Sequence, residues 1–406
     1  MTSLNQRRVL LAVSGGIAAY KAPELVRRLK DAGADVHVML TSAGAKFVSA
    51  LSLEVVSGHP VGVGLWETDA DSRIVHTDLG KDADVILVAP ATANLIGRIR
   101  HGLADDLVTT TIMACQTPVM VCPSMNTEML HNPLVQDNLA ALTAMDRYTV
   151  VDPSAGELAC GVVGPGRLPD PPEIIEALGR LLGPRDLDGV RLTVTAGPTR
   201  EAVDPVRFLT NRSTGTMGFA LARAAAQRGA DVTLIAGPVA LSTPPGVARR
   251  VDIVTASDVA AAVDAAWDRT DVLIMAAAVA DYRPRAVAAQ KLKKGAGELT
   301  LALERTTDVL ASTPGLPGRS GKVVVGFAAE TEHLEANARG KLEHKGLDAI
   351  VANDVSASDT GFGAGDNVGL VVTREGTTPL ARAPKPAFAH AVLDVLVPLI
   401  CGRVDD

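Results

Sequence analysis

The stretch Asp84-Val85-Ile86-Leu87-Val88-Ala89-Pro90-Ala91-Thr92-Ala93-Asn94 decides the fold. Its first half is a run of β-branched and aliphatic residues, the pattern of a strand buried on both faces of a parallel sheet. The run stops at Pro90 and gives way to small and hydroxylated residues. In an open α/β sheet, ligands bind where the carboxyl ends of strands open into such loops. A near-echo, Asp271-Val272-Leu273-Ile274-Met275-Ala276-Ala277-Ala278-Val279-Ala280-Asp281, lies in the second half. Two strand ends of this kind predict two sites.

Working outward, Val9–Val13 reads as a buried strand, followed by Ser14-Gly15-Gly16 and a helix to about Ala32. Gly33-Ala34-Asp35 turns the chain into a strand over Val36–Leu40, completing a β-α-β unit. Helices are expected around Lys46–Val56, Asn94–Gly102 and Asp106–Cys115, and a strand at Pro118–Cys122. Asp152–Pro172 is rich in Gly, Pro and small residues, and a loop of that length predicts a lid or binding loop. After a helix at Glu173–Leu182, Gly183-Pro184-Arg185-Asp186 reads as a linker, dividing the chain into domains 1–184 and 185–406. The second half restarts with a strand at Arg191–Thr195 and an Ala-rich helix at Phe219–Arg228. Gly229-Ala230-Asp231 then repeats the earlier turn into a strand. Further strands are expected at Val251–Val254, Leu299–Leu303, Val323–Phe327 and Ala349–Ala352. The fold class is α/β: two tandem Rossmann-like doubly wound domains, the first flavodoxin-like.

The bulk composition fits that reading. The 406 residues are 47% hydrophobic and 21% charged, ordinary for a globular protein. A net charge of −7 with 3% aromatics offers neither the basic face nor the stacking rings of a nucleic-acid binder. The four cysteines form no zinc spacing and no CxxC pair, the usage of a reducing compartment. Met1–Arg8 leads into a strand without a signal-peptide apolar core, and apolar runs break before the roughly 18 residues of a membrane span. A cytoplasmic protein is expected.

Several residues have the chemistry of a site. Ser14-Gly15-Gly16 suits an anion, because glycines let the backbone approach and the next helix offers free N–H groups; a tight turn without ligand fits it too. It is not G-x-G-x-x-G, which disfavours a nicotinamide dinucleotide. With Ser42 and Thr92 also at strand ends, it suits a mononucleotide such as FMN. His76 could move protons or serve only in packing. Asn126, behind Pro123, could hold a substrate carboxylate or simply make a turn. Cys160, in the Gly-rich loop, could donate a proton or be an inert thiol. In the second half, Leu209–Gly218 is rich in glycine and hydroxyls and precedes a helix, without the ending of a Walker site. The basic run Lys291–Gly297 is either a solvated loop or a closure over a triphosphate. Asp281 could read a base or hold a metal, and Lys341 and Lys345 share a helix face.

Taken together these motifs resemble the bacterial bifunctional phosphopantothenoylcysteine decarboxylase/phosphopantothenate–cysteine ligases, over essentially the whole chain. The first half is similar to flavin-containing cysteine decarboxylases through Ser14–Lys21, His76, Ala89–Asn94, Pro123-Ser124-Met125-Asn126 and Ala159-Cys160-Gly161. The second is similar to the ligase through Thr195–Glu201, Asp204–Arg207, Ala280–Arg283, Gly326–Glu330 and Ala352-Asn353-Asp354. Two departures stand out. Ser124 replaces a common alanine, and Thr306-Thr307-Asp308-Val309 stands where the ligase pattern reads Asn-Pro-Asp-Ile.

The resemblance implies the following chemistry. The carboxylate of 4′-phosphopantothenate attacks the α-phosphate of CTP, assisted by Mg²⁺, and cysteine displaces CMP from the acyl-cytidylate. The cysteinyl thiol is then oxidised toward a thioaldehyde with FMN as acceptor, CO₂ leaves, and the enethiol is reduced to 4′-phosphopantetheine. His76 is the implied acid/base, Asn126 the carboxylate clamp and Cys160 the proton donor. FMN is implied to contact Ser14, Gly15, Gly16, Ser42, Pro90, Ala91 and Thr92. Asn211 orients the acyl-cytidylate and Lys291 steadies phosphate charge. CTP is implied to meet Met275, Ala276, Ala277, Asp281, Thr307, Asp308, Val309, Leu310, Phe327, Lys341 and Lys345, with Asp281 also the metal residue. The implied assembly is a dodecamer built from decarboxylase trimers and ligase dimers. The competing reading is a flavin-binding regulatory protein without catalysis, disfavoured by the joint presence of His76, Asn126 and Cys160.

Overall fold

The computed structural model describes residues 4–65, 75–157, 161, 163–293, 299–330, 332–354 and 365–404. Contacts divide the chain between Gly183 and Pro184 into two units.

In the first unit, strands β1 (Arg8–Val13), β2 (Asp35–Leu40), β3 (Val61–Gly62), β4 (Val85–Ala91), β5 (Val119–Pro123) and β6 (Tyr148–Val150) form a parallel sheet in the order 3-2-1-4-5-6. Setting aside the two-residue β3, the full strands run 2-1-3-4-5 in chain order, the flavodoxin-like arrangement. The helices are α1 (Ala22–Asp31), α2 (Ala50–Ser57), α3 (Val75–Lys81), α4 (Ala93–Arg100), α5 (Leu107–Met113), α6 (Thr127–His131), α7 (Pro133–Thr143) and α8 (Pro171–Leu182). Successive strand residues face opposite ways. Val9, Leu11, Val13, Leu87 and Ala89 therefore bury in one core with α1 and α8, while Leu10, Ala12, Ile86 and Val88 bury in another with α4 and α5. Local signals start the helices: Pro23 opens α1, and Asp106 with Thr109 closes a capping box on α5. Such a cap contributes about 1 kcal/mol.

Two expectations change here. The segment expected as a long lid loop is largely an antiparallel hairpin, β7 (Ser154–Glu157) with β8 (Val163–Arg167). Alternating glycines and small residues gave it no period-2 hydrophobic signal. The strand expected to stop at Pro90 runs on to Ala91, with a register shift between Val88 and Ala91 against β5. Proline cannot donate to the ladder, so the pairing skips rather than ends.

The second unit has strands β9 (Arg191–Ala196), β10 (Arg200–Ala202), β11 (Phe208–Thr210), β12 (Asp231–Ala236), β13 (Arg249–Asp252), β14 (Val272–Met275), β15 (Tyr282–Pro284), β16 (Leu303–Arg305), β17 (Val323–Glu330), β18 (Ala349–Asp354), β19 (Asp366–Thr373) and β20 (Thr377–Pro384). Its helices are α9 (Thr216–Gln227), α10 (Ala256–Ala266), α11 (Val309–Ser312), α12 (Leu334–His344) and α13 (Lys385–Val404). The main sheet runs 13-12-9-14-17-18-19-20, parallel from β13 to β18 and antiparallel at β19 and β20. The β10–β11 and β15–β16 pairs are separate antiparallel hairpins. One core lies under α9 and α13, with Val194, Leu234, Ile274 and Val325; the other, under α10 and α12, holds Leu273, Met275, Val324 and Ile350. Helix α13 is long and apolar enough by composition to cross a membrane. Phe388, Val392, Leu393, Leu396 and Ile400 are fully buried, which makes it a core helix of this unit.

Candidate active sites

The first cavity, about 840 Å³, opens at the carboxyl ends of β1, β2, β4 and β5. Ser14, Gly15, Gly16, Ser42, Thr92 and Asn126 all line it, beside Tyr20, Lys21, Asn94, Arg98 and Arg167. Ser14 is 1% exposed and knots two strand exits together. Its hydroxyl donates to the Pro90 carbonyl at 2.7 Å and accepts the Thr92 N–H at 3.0 Å. Thr92 in turn caps α4 by accepting the Leu95 N–H. Gly15 has to be glycine: a Cβ there would lie 2.3 Å from Ala43 Cβ. Gly15 and Gly16 thus bring backbone to the cavity wall, the Gly16 N–H donating to the Ser14 carbonyl at 3.1 Å.

Pro90 and Ala91 are placed differently from expectation. Both are buried inside β4 and do not line the cavity. Pro90 acts through its carbonyl, which fixes Ser14.

Asn126 caps α6, its Oδ1 accepting the Glu128 N–H at 2.8 Å. The hairpin is pinned beside it: Met125 N–H donates to the Gly166 carbonyl at 3.0 Å, and Thr127 Oγ1 to the Pro165 carbonyl at 2.9 Å. Cys160, between β7 and β8, lies outside the described residues. The backbone of His76 sits in the first turn of α3, ahead of β4, and its side chain is outside the described set. Cys122 is fully buried, and burial pushes its thiol up to about 12, so it is no nucleophile near neutrality.

The second site is a pair of adjoining cavities, about 420 and 470 Å³, at the carboxyl ends of β9, β14 and β17. They share Ala277, Val279, Asp281 and Phe327. The smaller takes Met275, Thr307, Asp308, Val309, Leu310 and Lys345; the larger takes Asn211, Ala276 and Lys341. Lys291 is exposed and lines neither. Its neighbour Leu292 is tethered, with its N–H on Asp204 Oδ2 at 3.1 Å and its carbonyl accepting from Arg207 at 2.6 Å.

The loop leaving β14 is suspended from hydroxyls. Ala277 N–H donates to Thr195 Oγ1 at 3.1 Å and Ala280 N–H to Thr199 Oγ1 at 3.0 Å, both threonines being fully buried. From the opposite side Asn211 Nδ2 donates to the carbonyls of Ala278 and Val279 at 3.2 and 3.1 Å. Asp308 caps α11 and pairs with Lys345 at 2.8 Å. Burial would raise its pKa, but Lys345 and the Ala311 N–H prevail and hold it below the usual carboxylate range.

Residues unremarked as site residues in the sequence also line the larger cavity. Asn353 and Asn367 each bury an Oδ1 that has no hydrogen-bond partner among the described residues, and Lys385, 6% exposed, donates to Thr216 Oγ1 at 3.0 Å. Burial lowers the Lys385 ammonium's pKa. Asn367 and Lys385 come from β19 and the start of α13, and only the family motif around Asn353 pointed to this cavity.

Residues 1–183 match the Flavoprotein family, and residues 187–399 the family of the DNA/pantothenate metabolism flavoprotein C-terminal domain. The coenzyme A biosynthesis bifunctional protein CoaBC of Vibrio cholerae is 46% identical, over 98% of this chain and 99% of its own. That of Bacillus subtilis is 46% identical over 92% of each, and that of Escherichia coli K12 45% identical over 97% of this chain and 98% of its own. The chain belongs to the bifunctional coenzyme A biosynthesis protein family. The resemblance drawn from the motifs therefore holds across both units, with the first cavity in one matched region and the adjoining pair in the other.

Proposed function

We propose that this enzyme of coenzyme A biosynthesis ligates 4′-phosphopantothenate to cysteine in the second unit, consuming CTP, and decarboxylates the product in the first. The observation that carries the reading is the gathering of the ligase-pattern residues Asn211, Met275, Ala276, Ala277, Asp281, Asp308, Phe327, Lys341 and Lys345 around one split cleft.

In the second unit, a carboxylate is a poor electrophile, and joining it to CMP supplies a leaving group that the cysteine amine can displace. The two buried threonine anchors and Asn211 hold the β14 loop's backbone ready for the nucleotide, so little ordering is left for the moment of binding. Lys341 and Lys345, which line the cleft, supply charge to phosphates. Asp281, a carboxylate in an open cleft, suits Mg²⁺, which keeps several waters and shares phosphate oxygens.

In the first unit, the Gly15 cradle, the Ser14–Thr92 knot and a cavity of about 840 Å³ fit FMN, in keeping with the match to the Flavoprotein family. FMN, when bound, supplies a reversible two-electron acceptor. Asn126 holds the substrate carboxylate, His76 moves the thiol proton, and Cys160 returns a proton as the thiol product is restored. Exposed Ile17, Tyr20, Phe47 and Leu51 in this unit, and Val206, Phe208, Tyr282 and Leu303 in the other, suit self-association through both units, the dodecamer being the assembly to test by mass photometry.

The test is incubation with 4′-phosphopantothenate, cysteine and Mg²⁺ plus each nucleoside triphosphate in turn. CTP should give CMP and 4′-phosphopantothenoylcysteine. Equal turnover of ATP to AMP would sink the nucleotide assignment.

A further inference from the structure

At the amino end of β2, remote along the strands from the cavity at their carboxyl ends, three side chains converge. His59 Nε2 lies 2.7 Å from Asp35 Oδ1, and His37 Nε2 lies 3.2 Å from Asp35 Oδ2. The imidazoles stack with centroids 4.0 Å apart and planes 16° from parallel. The three ligand atoms all lie within 4.8 Å of one another, and among the described residues this is the one such group of three. We propose that Asp35, His37 and His59 bind a divalent transition-metal ion of the zinc type.

The donor set is right in kind. Two neutral imidazoles and one carboxylate leave a dication with one positive charge, and both donor types are ordinary zinc ligands. Ligands about 2.0–2.1 Å from a tetrahedral ion lie roughly 3.4 Å apart, so the contacts of 2.7 and 3.2 Å open by about 0.7 and about 0.2 Å, and the rings tilt until both Nε2 lone pairs meet at the ion. The ion replaces the hydrogen bonds that now link the three. Each ring shifts its proton to Nδ1, leaving the Nε2 lone pair for the metal. Burial and the adjacent His59 hold His37 below the usual imidazole range, which keeps it in the neutral form a metal requires.

The ligands also stand on fixed backbone. Asp35 and His37 are two apart on one face of β2, and that strand is paired with β1. His59 follows Gly58, which ends α2 in the left-handed conformation at φ 84°, and its N–H donates to the buried Ser57 hydroxyl at 3.1 Å. Arg8, 3.4 Å from Asp35, has Asp82 as a second partner at 3.3 Å and keeps it when Asp35 turns to an ion. His59 and Asp35 are each more than a third exposed, leaving the fourth position to water. An ion there ties the start of β2 to the segment entering β3. It stiffens that sheet edge and takes no part in either reaction.

The full chain, stripped with a chelator, is titrated with Zn²⁺ and separately with Co²⁺, beside His59→Gln, His37→Gln and Asp35→Asn. Any zinc held elsewhere is common to all four proteins, so their difference isolates this cluster. Wild type should take up one equivalent that the histidine variants bind at least about tenfold more weakly. It alone should show the visible absorption of low-coordinate Co²⁺, and its melting temperature alone should rise with Zn²⁺. Circular dichroism identifies any variant that fails to fold, and the remaining variants then decide. Equal stoichiometry and affinity in wild type and a folded variant would overturn the assignment, as would a wild type that takes up no such equivalent.

Discussion

The two units solve the same topological problem with different loops. In the first, β1 passes through Ser14-Gly15-Gly16 almost directly into helix, and the cavity is bounded by a tight cradle and apolar residues such as Ile17, Leu95, Met125 and Met129. In the second, a hairpin intervenes between β9 and α9 and another follows β14, and the cleft carries Arg305, Thr306, Asp308 and Lys345. A short exit suits a resident group held tightly; longer exits bearing charge suit a substrate that must enter, react and leave. The difference teaches that one strand order supports both uses, and that the loops at the carboxyl ends decide between them.

The largest break in this comparison should come from Cys160→Ser. Formation of the thiol product is expected to fall by about 10²-fold or more, with CO₂ release stopping after roughly one turnover per flavin, while CMP formation stays within about twofold. A matching loss of ligation, followed by CMP release, would contradict separable sites. Next, Gly15→Val places a side chain against Ala43, 2.3 Å away even at Cβ. Overpacking of about 1–3 kcal/mol predicts roughly ten- to hundredfold weaker FMN retention, read from flavin absorbance, with ligation preserved.

Lys345→Ala tests the charged cleft. The KM for CTP should rise about tenfold, the order of one charge-assisted hydrogen bond. The same change should move the Asp308 carboxyl upward, because burial then meets less opposition. The sign follows from its depressed pKa: the Asp308–Lys345 pair is formed above the usual carboxylate range and is lost only as pH falls beneath it. Side-chain NMR titration of wild type and variant should show Asp308 titrating at higher pH in the variant. The smallest effect is Thr92→Ala, which removes the α4 cap and one partner of Ser14; about 1 kcal/mol of stability should go, measured by denaturant unfolding.

Much of this was legible in the residues. The runs at Val85 and Val272 are apolar enough to mark central strands, and the glycine and threonine at strand exits marked both sites. What stayed hidden had physical causes. The β7–β8 hairpin is built from glycine and small residues, and β20 from threonine, proline and arginine, so neither alternates. Asn367 in β19 and Lys385 at the start of α13 enter the cleft from elements distant in sequence, and nothing local announces them. Thr195 and Thr199 look like ordinary strand and turn residues; only their bonds to the β14 loop show that they position it. Lys291 carried a phosphate expectation, yet it is exposed, beside the tethered Leu292 and outside both cavities.

The central claim is that one chain runs two chemically separate steps in sequence, and carboxyl-labelled cysteine tests it most directly. With 4′-phosphopantothenate, FMN, Mg²⁺ and CTP, the wild type should release labelled CO₂ only when CTP is present. Cys160→Ser should consume CTP and release almost none of the product thiol. Labelled CO₂ appearing without CTP, or CTP consumption that stops together with decarboxylation, would contradict the account.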